Sequence, residues 1–556
     1  MSIGSFVLML HSHLPFYRKA GMWPFGEESY YECVAECYVP LLNIVDELWQ
    51  EGIPAKLTIG ITPILAEQMA DEHLSHGFVK YITTRIKAAE KDEARFSPRG
   101  ESPNPVLLQL ARFNLNWFQK TLDDYQNKYG KNLIAAFAKF QKLGAIEITT
   151  SAATHGFSPL LYTDSSLRCQ FKVGVDSYKR HFGQAPKGIW LPECAYRPAT
   201  EERAGLEKWL HEFGLKYFFT ESFVIEGGKT VEVRKDFGPY GSIQYLPVAG
   251  HPATGMTTHE AYWLKEYPVA VMGRHEKAGY QVWSAEHGYP GDGNYREFHK
   301  KDDQSGLHYW RLTSKTTDLG AKEYYNPEAA ANRVAENSDH FVGLVQQILT
   351  DRLKQTGEPG LLMVSFDTEL FGHWWFEGIT WIKEVIRKLK HYTAVKVETA
   401  SEYLESTPPK HAIELPESSW GAGGHWQVWL NKETEWMWPI IHESEETMER
   451  LSQANKDADG GLTGRTLRQA TRELLLLESS DWPFLVTTGQ AKDYAIERFE
   501  GHLNRFRELT AMLDSGLIVE KRLKELEEID NCFPDVCHRC FLPVTAPGAQ
   551  VGTAVS

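Results

Sequence analysis

The chain has 556 residues, too many for one core, and its 42 % hydrophobic and 24 % charged side chains are those of an ordinary soluble globular protein of two or three domains. Fifty-nine basic against 74 acidic side chains leave a net charge of −15, which argues against a nucleic-acid or anionic-membrane surface and favours a neutral or cationic partner. Seven scattered cysteines, an odd number, exclude a disulfide scaffold.

In chain order, the N-terminal "MSIGSFVLMLHSHLPF" carries an apolar run too short to span a bilayer and no basic region before it. Neither a signal peptide nor an anchor is expected, and the expected location is the cytoplasm. Seven short apolar runs read as buried strands: "SFVLMLHSH" (5–13), "KLTIGITP" (56–63), "IEITTSAATH" (146–155), "GIWLPE" (188–193), "KYFFTES" (216–222), "PVAVMGR" (268–274) and "LLMVSFDTE" (361–369). Helical stretches such as "YVPLLNIVDELWQEG" and "EERAGLEKWLHEFG" lie between most of them. Strand and helix in alternation mean a parallel sheet with crossover helices, and seven strands suggest a barrel rather than an open sheet. No GxGxxG follows a strand and no GxxxxGK[ST] is present, so a nucleotide fold has no support.

Residues from about 75 to 130 interrupt this pattern with charged, then Pro/Gly-rich, then helical sequence, and are expected to form a helical insertion. After the break "STPPKH" (406–411) the periodicity becomes helical. The expected organisation is an α/β barrel domain over 1–405, a helical C-terminal domain over 410–542 that contributes to the site, and a disordered tail over 543–556. Just before this tail, "CFPDVCHRC" gathers Cys532, Cys537, His538 and Cys540; the spacing matches no common zinc motif, and reduced, partly buried thiols are favoured over a metal site.

Polar groups close the apolar runs: His11, His13, His155, Glu193, Glu221, Arg274, Asp367 and Glu369. Parallel strands that curl into a barrel put their carboxyl ends on one face, where barrel enzymes place their chemistry. Two acids on that face, Glu193 and Asp367, are suited to flank a glycosidic bond, one as nucleophile and one as acid/base with a raised pKa. Seventeen tryptophans, with 24 tyrosines and 27 phenylalanines, offer flat faces for sugar rings or simply a large aromatic core. His11 and His13, two apart, are expected to point to opposite faces of their strand. With His155 they fit hydrogen bonding to sugar hydroxyls, or a barrel metallohydrolase site completed by Asp367.

The stretches "HSHLPF", "GAIEITTSAATHGFSPLL", "WLPECAYRP", "SFDTELFGHWWFEG" and "SSWGAGGHWQVWLN", with "ESSDWPFLVTTGQAKDYA" further on, resemble the 1,4-α-glucan branching enzymes of glycoside hydrolase family 57 over nearly the whole chain. The resemblance implies an incomplete (β/α)7 barrel with an all-helical C-terminal domain, a retaining mechanism and no cofactor or required metal. It implies Glu193 as nucleophile, Asp367 as proton donor and base, and Arg274, Trp283, Gly291, Trp420, Trp429 and Asp481 as glucan-binding residues. The implied partner is an α-1,4-glucan such as glycogen or amylose, cleaved and transferred to a 6-hydroxyl; no nucleic acid or membrane is implied, and a monomer is compatible. In that family a mobile loop carries a tyrosine that keeps water out, and Tyr240, Tyr245 and Tyr262 all remain candidates. The rivals are an α-amylase or 4-α-glucanotransferase on the same scaffold, a metal-dependent polysaccharide deacetylase-type hydrolase using His11, His13, His155 and Asp367, and a non-catalytic glucan-binding protein.

Overall fold

The structure is a computed structural model that describes residues 2–227, 254–284, 288–392 and 394–542. Its centre is β1 (Gly4–Ser12), which pairs in parallel with β2 (Leu57–Ile61) on one side and with β7 (Gly360–Asp367) on the other. Along β1, Phe6, Leu8 and Leu10 face the surrounding helices, while Val7 and Met9 face inward toward Trp190, Phe219, Met272 and Met363. A strand buried on both faces reads as an unbroken apolar run, which is why "SFVLML" shows no alternation.

β2 passes the parallel pairing to β3 (Ile146–Thr149). Bridges from Thr150 to Ile189 and from Gly188 to Tyr217 then insert residues 188–190 as a further stave, leading to β4 (Tyr217–Thr220) and, parallel to it, β6 (Ala270–Gly273). The gap between β6 and β7 is crossed by single hydrogen bonds, His275 N–H to the Met363 carbonyl (2.8 Å) and Leu361 N–H to the His259 carbonyl (2.8 Å). All seven staves coincide with the seven apolar runs, and the wall is an α/β barrel left incomplete at this gap. β5 (Ala261–Leu264) runs antiparallel to β6 outside the wall and pairs with β9 (Ala412–Ile413), while β8 (Val395–Val397) pairs with the start of β1.

Between β2 and β3 stand two long helices, Glu72–Phe96 and Pro105–Asp123, each started by a side-chain cap from Asp71 or Asn104. Beyond residue 430 the described chain is helical: Met437–Ala454, Gly461–Leu477, Asp481–Thr488, Lys492–Ser515 and Glu520–Ile529. One apolar core joins these helices to the barrel, with Trp438, Leu467, Trp482 and Phe499 packed in the same cluster as Phe157, Ile189, Leu191 and Phe218. Among the described residues no helix is long and apolar enough to cross a membrane. The tail expected to be disordered, 543–556, lies outside the described residues.

Candidate active site

Stave 188–190 runs into Leu191 and Pro192 and then turns sharply. Glu193 has φ 60° and ψ 25°, Cys194 has φ 50°, and across the site His155 has φ 58°. Side chains with a Cβ reach this left-handed region at a cost of about 1–3 kcal/mol each, so such a turn persists only where its surroundings hold it. Here the segment after the Pro break does so: Trp420 N–H donates to the Glu193 carbonyl (3.0 Å), and Tyr196 and Ser418 exchange backbone hydrogen bonds of 2.9 and 3.1 Å. Both carboxylate oxygens of the buried Glu193 are also held, Oε2 by the Trp420 indole Nε1–H (2.8 Å) and Oε1 by the Ser480 hydroxyl (2.8 Å). Burial pushes the Glu193 carboxyl above its ordinary range and Asp481 adds to this, while the two hydrogen bonds and His13 pull it back toward the ionised form.

Asp367 ends β7 in register with His11. Burial first, then the charges of Glu369 and Glu193, push its carboxyl well above the usual carboxylate range, against the pull of His13 and Arg274. Glu369 is itself buried, and desolvation lifts it to about 7 although Tyr38 OH (2.5 Å) and His13 N–H (3.2 Å) both donate to its Oε1. The site thus holds one acid clamped by two donors that favour its charged form and another pushed up by burial and like charges.

The histidines correct an expectation. Residues two apart on a strand share a face rather than diverging, and His11 and His13 lie on the same side, with stacked rings whose centroids are 6.0 Å apart. His155 stacks on both, at 5.1 and 4.0 Å, and His11 stacks in turn on Trp190 at 4.8 Å. Stacked imidazoles aim their nitrogens side by side and do not converge them on one ion. Instead, His13 Nε2 meets the Asp481 carboxylate at 3.1 and 3.2 Å and its Nδ1 meets Thr62 Oγ1 at 3.1 Å. Burial pulls His13 down, but Asp481, Glu193 and Glu369 more than offset this and raise it. Burial, with neighbouring imidazoles, holds His11 and His155 well below the ordinary histidine value and therefore neutral. Among the described residues the grouping with metal-ligand geometry is Glu473, His502 and Asp530, in the helical region and crossed by Arg505, so the His11–His13–His155–Asp367 metal reading does not fit this geometry.

Of the other expected binding residues, Trp420 and Asp481 reach the centre as described. Arg274 directly follows β6 and pairs with Glu221 at 2.8 Å, and its Nη1 donates to the Ser365 carbonyl at 3.5 Å. Trp283 closes the helix Glu276–Trp283 and packs partly buried beside the outer core, and Gly291 ends the short turn Tyr289–Gly291. The expectation for Trp429 is corrected: its ring is 1 % exposed and stacked on Phe157 at 4.5 Å, inside the core shared by barrel and helices, so no face is open to a sugar. Trp375, eight residues after Asp367, is likewise core, against Tyr295, Phe371 and Trp381. Tyr262 is buried with its hydroxyl bonded to the Thr257 backbone and is not a loop residue, while Tyr240 and Tyr245 lie outside the described residues. The cysteine-rich end does not gather as a zinc site: Cys540 Sγ donates to the Cys537 carbonyl (2.7 Å), His538 Nε2 faces the Ala458 carbonyl (3.0 Å), and all seven cysteines are free thiols.

Sequence reasoning passed over Ser480, although "SSDW" was singled out for its Asp481. The available signal was a pair of hydroxyls next to an acid at a helix start. It also noted Glu369 only as a strand-end acid, where "DTE" puts two carboxyl groups two residues apart.

A barrel with paired buried carboxyl groups at its strand ends, completed by a helical region that touches one of them, defines a class of barrel enzyme. Residues 7–416 match the Glycosyl hydrolase family 57 model, and the chain belongs to that family. Residues 440–541 match the model described as 1,4-alpha-glucan branching enzyme, C-terminal. The chain is similar to the 1,4-alpha-glucan branching enzyme TK1436 of Thermococcus kodakarensis, 43 % identical over 96 % of this chain and 78 % of the relative. The crystal structure of TK1436 in complex with glucose superposes with a TM-score of 0.89 at 42 % identity, covering 98 % of both chains. A GH57-type branching enzyme from Pyrococcus horikoshii follows at 39 % identity and TM-score 0.86, covering 98 % of both. The α-amylase AmyC from Thermotoga maritima follows at 30 % and 0.83, covering 98 % of this chain and all (100 %) of the other.

Proposed function

We propose that this chain is a 1,4-α-glucan branching enzyme: it cleaves an α-1,4 bond in a glucan and transfers the released chain to a 6-hydroxyl, forming an α-1,6 branch. The observation that carries this reading is the match of 440–541 to the branching-enzyme C-terminal model, because that segment supplies Ser480 and Asp481, which contact Glu193 and His13. Relatives named as branching enzymes, at 43 and 39 % identity, also stand nearer than the one named as an α-amylase, at 30 %.

In the proposed mechanism Glu193 attacks the anomeric carbon while Asp367 gives its proton to the leaving glycosidic oxygen, and a glucosyl-enzyme forms with inversion. Asp367, now ionised, takes the proton of an acceptor 6-hydroxyl, whose oxygen displaces Glu193 with a second inversion, so the α configuration is retained. The hydrogen bonds from Trp420 and Ser480 support Glu193 as the ionised partner, and the burial of Asp367 beside Glu369 and Glu193 supports it as the acid. Arg274, Trp283, Gly291, Trp420, Asp481, His11, His13 and His155 are assigned to glucan binding and to the frame around it. We assign the catalytic barrel to 1–405, the helical domain to 410–542 and the location to the cytoplasm.

Incubation with amylose, followed by enzymatic debranching and chain-length analysis, tests the function. New α-1,6-linked chains, with few new reducing ends, are the expected result. Reducing ends that rise with no debranchable product would instead make the chain an α-amylase, and a changed spread of linear chain lengths without branches would make it a 4-α-glucanotransferase.

A further inference from the structure

Ser480 immediately precedes the helix Asp481–Thr488, where a serine hydroxyl ordinarily caps by accepting from the backbone N–H groups of the first turn. No side-chain cap is made here. The hydroxyl, fully buried, turns the other way and lies 2.8 Å from Glu193 Oε1 and 2.9 Å from His155 Nδ1. An ionised carboxylate only accepts, and a hydroxyl carries one hydrogen. With Glu193 ionised, that hydrogen belongs to the Ser480–Glu193 bond, so His155 Nδ1 must carry its own hydrogen and donate it to Ser480 Oγ. The direct approach of His155 Nδ1 to Glu193 Oε1 is longer, 3.6 Å. Hydrogen bonds in such a chain polarise one another, so the neutral histidine strengthens the serine as a donor.

We infer that Ser480 is a positioning residue for the nucleophile, the middle member of a donor chain from His155 through Ser480 to Glu193 that fixes one carboxylate oxygen and favours its charged form. The inference rests on Glu193 being the nucleophile. It gives the helical region a part in the chemistry, beyond binding glucan, because the group that holds Oε1 comes from outside the barrel. The backbone frame of this contact is separate from the hydroxyl: Ser480 N–H donates to the His155 carbonyl at 3.1 Å, and Gly156 and Ser479 form a bridge. Removing the hydroxyl therefore leaves the two segments joined. The titratable and charged groups that face Glu193 are His13 and His155 from the barrel, Asp481 from the helical region, Asp367 on the other acid-bearing strand and Cys194 beside it. Ser480→Ala leaves all of them in place.

The test is the pH dependence of kcat/KM on amylose for the full-length chain, S480A and S480C, with E193Q as control and thermal unfolding as the check on folding. Losing one hydrogen bond to a charged group is expected to move the acidic limb of S480A up by about one to two pH units. The plateau rate should fall about tenfold or more, with KM within about twofold and the alkaline limb unmoved. S480C, similar in size and a weaker donor, should move the acidic limb in the same direction by less; if S480A does not fold, S480C alone is read by the same criterion. An acidic limb that stays in place, whether or not the rate falls, overturns the inference. E193Q that keeps turning over overturns the nucleophile assignment itself, whereas an inactive E193Q with an unmoved S480A limb overturns only the role of Ser480.

Discussion

Glu193 stands on a left-handed turn, and its two oxygens are tied to Trp420 and Ser480, residues from beyond the barrel wall. Asp367 ends a regular strand held by its ladder to β1, and among the described residues what acts on its carboxyl is burial and the charge of its neighbours. The difference separates two ways of tuning an acid. Directed donors stabilise one charged state and one orientation, while desolvation and like charge raise the cost of ionisation without choosing a direction. An attacking oxygen needs a fixed direction. A proton donor that must later act as a base gains from a carboxyl whose proton affinity changes as its surroundings change.

The comparison breaks most visibly at Asp367 itself. Asp367→Ala should lower turnover on glucan by about 10²–10⁴-fold while retaining activity on a glucosyl donor with a good leaving group, which needs little acid help. Added azide should then release an α-linked glucosyl azide, identified by NMR; a β-linked product would contradict the retaining mechanism. Next in size is Trp429→Ala. A buried indole stacked on Phe157, with its own carbonyl accepting from the Trp438 indole N–H (2.9 Å), is part of what seats segment 418–429 against Glu193. Its loss should cost about 3–5 kcal/mol of stability and lower branching and hydrolysis together. Calorimetry with a reducing-end assay checks this, and a selective rise in hydrolysis at unchanged Tm would return Trp429 to the glucan-binding residues.

Glu369→Gln sharpens the comparison, because Glu369 acts on Asp367 and not on the clamp of Glu193. Its amide oxygen can still accept from Tyr38 and from His13 N–H, but the negative neighbour is gone. If Asp367 is the acid, as proposed, the alkaline limb of kcat/KM reports loss of its proton and should move to lower pH by about one unit or less while the acidic limb stays.

The smallest effect is expected at the seam between barrel and helices. There Glu478 is buried, accepts from Ser166 and from Gln170 Nε2 (2.7 Å), and adds its charge to the buried Glu445, which accepts from Thr163 N–H (2.6 Å). Burial lifts Glu478 from 4.5 to about 8, so the folded state binds this proton more tightly than the unfolded chain does. Its contribution to stability is fully present below about pH 4.5 and is lost as the pH rises through about 8. Glu478→Gln should flatten that fall, read as Tm against pH from 5 to about 9, and an unchanged slope would mean that Glu478 is not the group responsible.

The staves of the barrel and the acids at their ends were legible in the sequence, because a strand buried on both faces must be apolar throughout and a change to Glu, Asp or His marks where it leaves the wall. Glu193 and Asp367 were found in this way, and the helical periodicity beyond residue 410 followed from amphipathic spacing. The environment of each acid was decided by tertiary structure alone. Ser480 lies 287 positions from Glu193, and Trp420 lies 227 positions away. A serine before a helix carries the same local signal whether its hydroxyl caps that helix or crosses to another domain. Likewise "SSWGAGGHWQVW" does not say which indole is sealed in a core and which keeps a polar edge at the site. Trp429 went inward because Phe157 offers it a stacking partner within the shared core, and Trp420 stayed at the centre because its indole N–H meets the Glu193 carboxylate. Local pattern sets the elements and their ends, whereas the partner that satisfies a buried polar group is chosen only when distant segments pack together.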